Sequence, residues 1–596
     1  MTDTRSPAPL SFWVPGNTNA RPEEPVALGE SAAARGLRLQ ATDAVTATVR
    51  EPDDGVCEVS FRAHQGPLSL TVVLPAVDAV AWWRPGSTVP HATIPPLWAE
   101  PVDTTALADI PIGALLLRRD RTGLVYALDA GACRTSVRAG LVEETAEFVV
   151  MVTVHDPAPH DEIRLLLDVS GRPFARAVPE TGRWLQRGRG VRTVPGAQDA
   201  VLCTWYFAHQ EVTAAAVLDQ ADRAVALGFG TVIVDDGWQT MSRARGYGSC
   251  GDWEAAPEKF PDPAGMVAAL RSRGLRTMWW VGTPFAGYDS RARSLGLATM
   301  YGEPELEADV LDPRDPATRR YLVERIQDLV LRTGADGLKL DFLERFAKAD
   351  PDDPPSQSPV AATARLLQEI VAGIEAAGTA PLIEFREPYV HPEIGRFATM
   401  LRVGDCPLSA TQNRVGILDL RMARPGTPIH GDPIMWAEDD AAERVAHHLI
   451  NALPGVPQVS MDLMRLGRAQ SEALEFWLGV WSEHRDTLLH GELVPERPDL
   501  LYPLVTARDA GLHFVCRYAP HAVRLPAAWS ELLIANADDS APIVVSDGAP
   551  VAVRVEIRDA RGRVTHQADA ELGGGASILP VPSGGLARIS RTGPSA

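Results

Sequence analysis

Between about residues 200 and 490 the 596-residue chain alternates short apolar runs with longer amphipathic stretches, and this alternation constrains the fold more than any other feature. The runs are VLCTWYF, TVIVDD, RTMWWVG, GLKLDF, PLIEF and TMLRVGD, with weaker ones at TPIHGD and VPQVS. Helix-like segments such as EVTAAAVLDQADRAVALG and ATRRYLVERIQDLVLRTG lie between them, the second ending at Gly334 as a C-cap. Strands alternating with helices over this length predict a (β/α)₈ barrel. A doubly wound open sheet is the alternative, but no G-x-G-x-x-G follows a first strand.

The chain is too long for one core, since single cores stop growing at roughly 250–300 residues. The flanks read as β structure. Segments such as CEVSFRAH, LSLTVVLP and EFVVMVTVH precede the barrel, and LYPLVTA, LHFVCRYA and VAVRVEIRDA follow it. We expect three domains: an N-terminal β-sandwich over 1–195, the catalytic barrel over 196–492 and a small C-terminal β-sandwich over 493–596. The Pro- and Asp-rich loop at 348–359 is expected to cover part of the barrel rim.

A net charge of -20 repels phosphate backbones and argues against a nucleic-acid partner. The six cysteines are scattered without a C-x-x-C pair, which argues against a disulfide scaffold or a structural zinc site. The opening MTDTRSPAPLSFWVPG lacks a basic segment followed by an apolar one, and no apolar run reaches about 18 residues. The expectation is a cytoplasmic enzyme without a membrane span, its partner a small oligosaccharide or glycoside.

Catalytic groups of such a barrel sit at the C-terminal ends of strands. Strand 2 ends in Asp235-Asp236-Gly237-Trp238, strand 3 at Trp279-Trp280, and strand 4 in Lys339-Leu340-Asp341. Strand 5 ends in Glu384-Phe385-Arg386, strand 6 in Arg402-Val403-Gly404-Asp405, and strand 7 near His430-Gly431-Asp432. Carboxylates and lysine grip sugar hydroxyls, and tryptophan stacks on the apolar face of a sugar ring. Glycoside hydrolysis needs two further carboxyls, about 5–5.5 Å apart in retaining enzymes. Asp341 and Asp405 are the candidates, as nucleophile and general acid/base. Lys339, one of three lysines in the chain, alternates onto the same face as Asp341 and favours its ionised form. Asp341, Asp432 and partial burial are expected to raise the pKa of Asp405. Of the adjacent indoles, Trp280 is assigned to the cavity and Trp279 to the core. Asp309, Asp312 and Asp315 read as turn or cap residues, and His447-His448 as structural.

In chain order these residues carry a resemblance. Trp205-Tyr206, Asp235 to Trp238, Gly251-Asp252-Trp253, Lys259-Phe260-Pro261, Pro284-Phe285, Leu311-Asp312-Pro313, Lys339 to Phe342, Glu384 and Gly404-Asp405 together resemble the melibiase-type α-galactosidases, glycoside hydrolase family 36, and their clan relatives in family 27. The three-part layout is similar to that family's. The resemblance implies that Asp235 and Asp236 hold hydroxyls of the non-reducing sugar, Lys339 neighbouring hydroxyls, Asp341 the glycosyl-enzyme, and Asp405 the proton. Trp205, Trp238, Trp280, Glu384, Arg386, Arg402 and Asp432 complete the expected substrate site. No metal or organic cofactor is implied. Relatives often form homo-oligomers, though no residue here points to one.

This chain departs from the family at Glu384-Phe385-Arg386-Glu387-Pro388-Tyr389, where a C-S-G-G-type segment is usual, and reads K-L-D-F where K-W-D is common. Arg386 and Arg402 are therefore candidates to recognise a modified, anionic sugar; alternatively Arg386 pairs with Glu384 or Glu387. Three other functions compete with a hydrolase: a transglycosylase of the raffinose-synthase type, a non-catalytic carbohydrate-binding barrel, and a metal-dependent barrel hydrolase. For the last, only His430 is well placed.

Overall fold

A computed structural model describes residues 38–592, apart from 42–45, 63–66, 77, 87–92, 156, 158–161, 191 and 349–357. The N-terminal segment read for a leader, and most of the proline-rich loop at 348–359, lie outside the described residues.

Eight parallel strands form the central sheet: β1 (Ala200–Cys203), β2 (Phe229–Val234), β3 (Arg276–Gly282), β4 (Gly337–Asp341), β5 (Leu382–Arg386), β6 (Met400–Arg402), β7 (Ile429–His430) and β8 (Gln458–Val459). Neighbours in sequence are neighbours in space from β1 to β7, and β8 returns to pair with β1. Parallel bridges His430–Val456 and Ile434–Val459 span the remaining gap between β7 and the β8 segment. The result is a (β/α)₈ barrel with strands buried on both faces, as parallel sheets between helices require. Local signals set the helices. The Asp315 side chain accepts from the Thr318 amide to start the helix Pro316–Thr333, and Gly334 ends it in the left-handed conformation at φ 68°.

One element has no counterpart in the sequence reading. Between β3 and β4 the chain inserts a three-stranded antiparallel sheet of Phe285–Gly287, Thr299–Glu303 and Ala308–Leu311. This sheet anchors the long loop after β2: Tyr247 N donates to Leu306 O (3.0 Å) and Gly287 N to Cys250 O (2.8 Å). Tyr247 is thereby held over the barrel mouth.

The N-terminal region is a sandwich of a five-stranded and a six-stranded sheet around its own apolar cluster. It closes with the helix Phe174–Leu185, hidden from a β reading of the region and interrupted by Pro179. Gly182 lets this helix approach the barrel, since a Cβ there would stand 2.6 Å from Ala423 O. The C-terminal region comprises a seven-stranded and a three-stranded sheet, the larger beginning at Glu492–Glu496. All six cysteines are free. Among the described residues no helix is long and apolar enough to cross a membrane.

A buried polar node ties the three parts together. Trp83 of the sandwich donates its indole N–H to Asp419 Oδ1 and to the Tyr502 hydroxyl oxygen, both at 3.0 Å. Tyr502 donates in turn to the same Asp419 oxygen at 2.5 Å. Removing a buried partner strands the others, at about 1–3 kcal/mol. Tyr502→Phe is therefore expected to lower unfolding free energy by about 1–3 kcal/mol in urea titration while leaving the barrel mouth intact. A change within about 0.5 kcal/mol would show that the node does not tie the parts energetically.

Candidate active site

The strand ends converge on one cavity of about 200 Å³ at the C-terminal mouth of the barrel. Its walls carry Trp205 and Tyr206 after β1, Asp235 and Asp236 after β2, Trp280 from β3, and Lys339, Asp341 and Phe342 from β4. Arg386 from β5, Arg402 and Asp405 from β6, Asp432 and Pro433 after β7, and Tyr247 complete it. Ten of the twelve residues expected at the site thus meet around one space.

Trp238 and Glu384 do not. Trp238 is fully buried below the cavity, its ring against Trp253 and Trp279 and its indole N–H on Trp280 O at 3.0 Å. It shapes the strand that presents Trp280 rather than facing the cavity. Glu384 lies beneath the floor, accepting from Gln458 Nε2 at 2.6 Å with Arg402 Nε 3.6 Å away. It is fully buried, and burial pushes its carboxyl up.

Asp341 is buried, and its two oxygens are used unequally. Oδ1 accepts from Arg386 Nε (2.7 Å), the Phe342 amide (2.8 Å) and the Tyr389 hydroxyl (3.1 Å), whereas Oδ2 accepts from Trp280 Nε1 (3.0 Å). Phe342 sits in the left-handed region at φ 64°, which costs a bulky residue about 1–3 kcal/mol and turns its N–H onto Oδ1. Burial alone would raise the Asp341 pKa; Arg386, Lys339 and Arg402 overcome that and hold the carboxyl well below the usual range.

The cations are placed differently from the sequence expectation. Lys339 Nζ bonds Asp235 Oδ2 at 2.7 Å, so the cation in direct contact with Asp341 is Arg386. Arg386 pairs neither with Glu384 nor with the Glu387 side chain; it reaches Asp341, Glu344 at 3.4 Å and the Glu387 carbonyl oxygen at 2.8 Å. Buried Arg402 bonds Asp405 Oδ1 at 2.9 Å and Asp432 Oδ1. Neither guanidinium stands free to meet an anionic substituent.

Asp405 is 62% exposed at the mouth. The expected upward shift is not found. Partial burial does raise its pKa, but Arg402, Arg386 and Lys339 outweigh it and the net shift is downward. The upward shift falls on its neighbour Asp432, which burial pushes up to about 7, with Asp405 adding to it and Arg402 opposing. Asp236 is likewise pushed up by burial to about 6, its oxygens held by Gln210 Nε2 (2.8 Å) and Gln239 Nε2 (2.7 Å).

Several residues of the motif order prove structural. Lys259 staples the β1 and β2 loops through the carbonyl oxygens of Gln210 and Gly237. Asp252 holds the amides of Arg291 and Ala292 on the inserted sheet's far side. His430 bonds Ala197 O inside the barrel at 2.8 Å. Conversely, Tyr206, Tyr247, Phe342 and Tyr389 were not assigned to the site from sequence. Tyr206 donates to Asp432 at 3.1 Å, and its place directly after β1 was a usable signal. Tyr247, stacked on Trp280 at 5.9 Å, lies in a loop without periodicity.

Residues 197–452 match the family described as "Glycosyl hydrolases family 31 TIM-barrel domain". No curated protein matches the chain by sequence. Among solved structures, the chain is similar to a GH36 α-galactosidase, AgaA of Geobacillus stearothermophilus, crystallised with 1-deoxygalactonojirimycin (TM-score 0.65, 15% identity, 95% of this chain and 85% of that one). It is also similar to the α-galactosidase of Lactobacillus brevis (TM-score 0.65, 13% identity, 97% and 84%). A third is the α-galactosidase of Thermus thermophilus (TM-score 0.54, 17% identity, 80% and 96%). The sequence match thus falls on the family 31 barrel, while the first of these structural neighbours is titled a GH36 enzyme. At these identities the neighbours establish a shared architecture.

The Lys339–Asp235 pair is buried on both sides, with side chains 7% and 3% exposed. Lys339→Met leaves the Asp235 carboxylate without its cation, and folding stability is expected to fall by about 3–5 kcal/mol in urea titration. A loss under about 1 kcal/mol would mean that the pair behaves as a solvated surface bridge.

Proposed function

We propose that the protein is a retaining, exo-acting α-glycosidase, best matched to terminal α-galactosides, with Asp341 as nucleophile and Asp405 as general acid/base. The observation that carries this reading is the placement of two carboxylates on one cavity in opposite surroundings. Asp341 is buried and cation-held, while Asp405 is exposed at the mouth, where a leaving group departs. A glycoside-hydrolase barrel match over 197–452 and neighbours titled α-galactosidases support the same class.

In the first step Asp341 Oδ2 bonds to the anomeric carbon as the glycosidic C–O bond breaks, and the leaving oxygen takes the Asp405 proton. In the second, water gives a proton to Asp405 and bonds to the same carbon as the ester to Asp341 breaks. Asp235, Asp236 and Lys339 hold hydroxyls at the closed end, and the small volume suits a single terminal ring.

The proton supply rests on a cluster. Asp405, Asp432 and Glu384 gather around the guanidinium of Arg402 and share it. Protons therefore belong to the group rather than to one member. Asp432, pushed up to about 7, retains a proton toward neutral pH, burial shifts Glu384 in the same direction, and exposed Asp405 is the member that meets the leaving oxygen.

The test is p-nitrophenol release from α-linked p-nitrophenyl glycosides, wild type beside Asp341→Ala. Cleavage of the α-galactoside is expected, reduced about 10,000-fold or more by the substitution. Cleavage of a different α-glycoside keeps the mechanism and changes the sugar; no cleavage, or an unaffected variant, refutes the assignment. The acid must be protonated to act, so kcat/KM is expected to fall as pH rises through about 7. Asp432→Asn should move that limb, and an unmoved limb would remove Asp432 from the proton supply.

A further inference from the structure

We propose that Arg386 is a positioning residue that makes Asp341 a good leaving group, so that a glycosyl-enzyme formed there is short-lived. This inference rests on the glycosidase reading above. Three donors hold Oδ1 of Asp341: Arg386 Nε, the Phe342 amide and the Tyr389 hydroxyl, at 2.7, 2.8 and 3.1 Å. Oδ2 has one, Trp280 Nε1, and so keeps more lone-pair capacity for the anomeric carbon.

Bond formation at Oδ2 converts the carboxylate to an ester and removes its negative charge. Arg386 cannot follow that change by moving away. Its Nη1 is tied to Glu387 O at 2.8 Å, and its guanidinium lies near the rings of Phe342 and Tyr389, at 5.3 and 5.4 Å. In the ester state this cation faces a neutral group, with Glu344 at 3.4 Å still beside it. The other nearby cations have partners of their own, Lys339 on Asp235 and Arg402 on Asp432 and Asp405. Attack of water on the anomeric carbon breaks the ester C–O bond, returns the electron pair to Oδ2 and restores the ion pair with Arg386. The guanidinium therefore weakens Asp341 as an attacking group and speeds its departure.

The experiment is rapid-mixing kinetics on an aryl α-glycoside that the wild type cleaves, with intact-mass spectrometry of the acid-quenched protein. Wild type is expected to release phenol linearly and to show no adduct. Arg386→Gln is expected to give a burst stoichiometric with enzyme, then a steady rate about 100-fold lower, with one sugar residue on the protein. Arg386→Lys should restore part of the steady rate, and Tyr389→Phe, which removes one donor from the same oxygen, should shift the balance the same way by less. An Arg386→Gln protein that slows without burst or adduct, while Tyr389→Phe and Arg386→Lys also show none, overturns the proposal. So does a wild type that accumulates adduct as the variant does. A wild type that cleaves no glycoside overturns the glycosidase reading itself, before any variant is compared.

Discussion

A carboxylate leaves water only at a cost of several kcal/mol unless an opposite charge goes with it, and the barrel mouth buries Asp235, Asp236, Asp341 and Asp432 together. The rest of the site follows from how this charge is met. Lys339 crosses from β4 to Asp235, Arg386 from β5 to Asp341, and Arg402 from β6 to Asp432 and Asp405. The Lys339–Asp235, Arg386–Asp341 and Arg402–Asp432 pairs each link two different strand ends, so the charge balance also fixes the geometry of the mouth. Asp236 is the exception, held by the amides of Gln210 and Gln239 instead of a cation, and burial accordingly shifts it upward.

The same balance divides the chemical labour. Arg386, Lys339 and Arg402 together hold Asp341 low, whereas burial outweighs Arg402 at Asp432 and pushes it up to about 7. In the proposed mechanism a nucleophile and an acid need opposite protonation states at one pH, and the upward shift that an acid needs lies on Asp432, beside Asp405. Identical Asp side chains on β4 and β6 are thus made unlike by their neighbours.

The barrel was legible because its signals are local. Apolar runs, Asp315 and Gly334 mark elements residue by residue, and strand ends translate directly into cavity walls. What could not be read depends on side-chain direction and on distant contacts. Trp238 and Trp280 are equally good sugar platforms by type, yet the sharp turn after β2 sends Trp238 beneath the floor. Glu384 and Arg386 alternate on β5, but Gln458 of β8 draws the glutamate down while Asp341 draws the arginine across. The pKa of Asp405 was misjudged for the same reason: its acidic neighbours are visible in sequence, whereas the cations that outweigh them depend on the direction of Arg402 on its own strand and on Arg386 and Lys339 from β5 and β4. Tyr247 reaches the cavity only through an inserted sheet whose strands are short and carry no clear period.

These placements change what the arginines can mean for substrate. From sequence, Arg386 and Arg402 suggest affinity for an anionic sugar. In the fold, each is paired with buried carboxylates, and an incoming anion would have to displace an ion pair to reach either. Breaking such a pair costs about 3–5 kcal/mol, more than a partly solvated carboxylate on a sugar regains. For the glycosidase proposed above, the cavity is better matched to a neutral ring whose hydroxyls would donate to Asp235 and Asp236 and whose apolar face would meet Trp280 and Tyr247. Substituents on the sugar are then discriminated by shape and hydrogen bonding at the closed end, and the arginines act on the sugar through the carboxylates they hold.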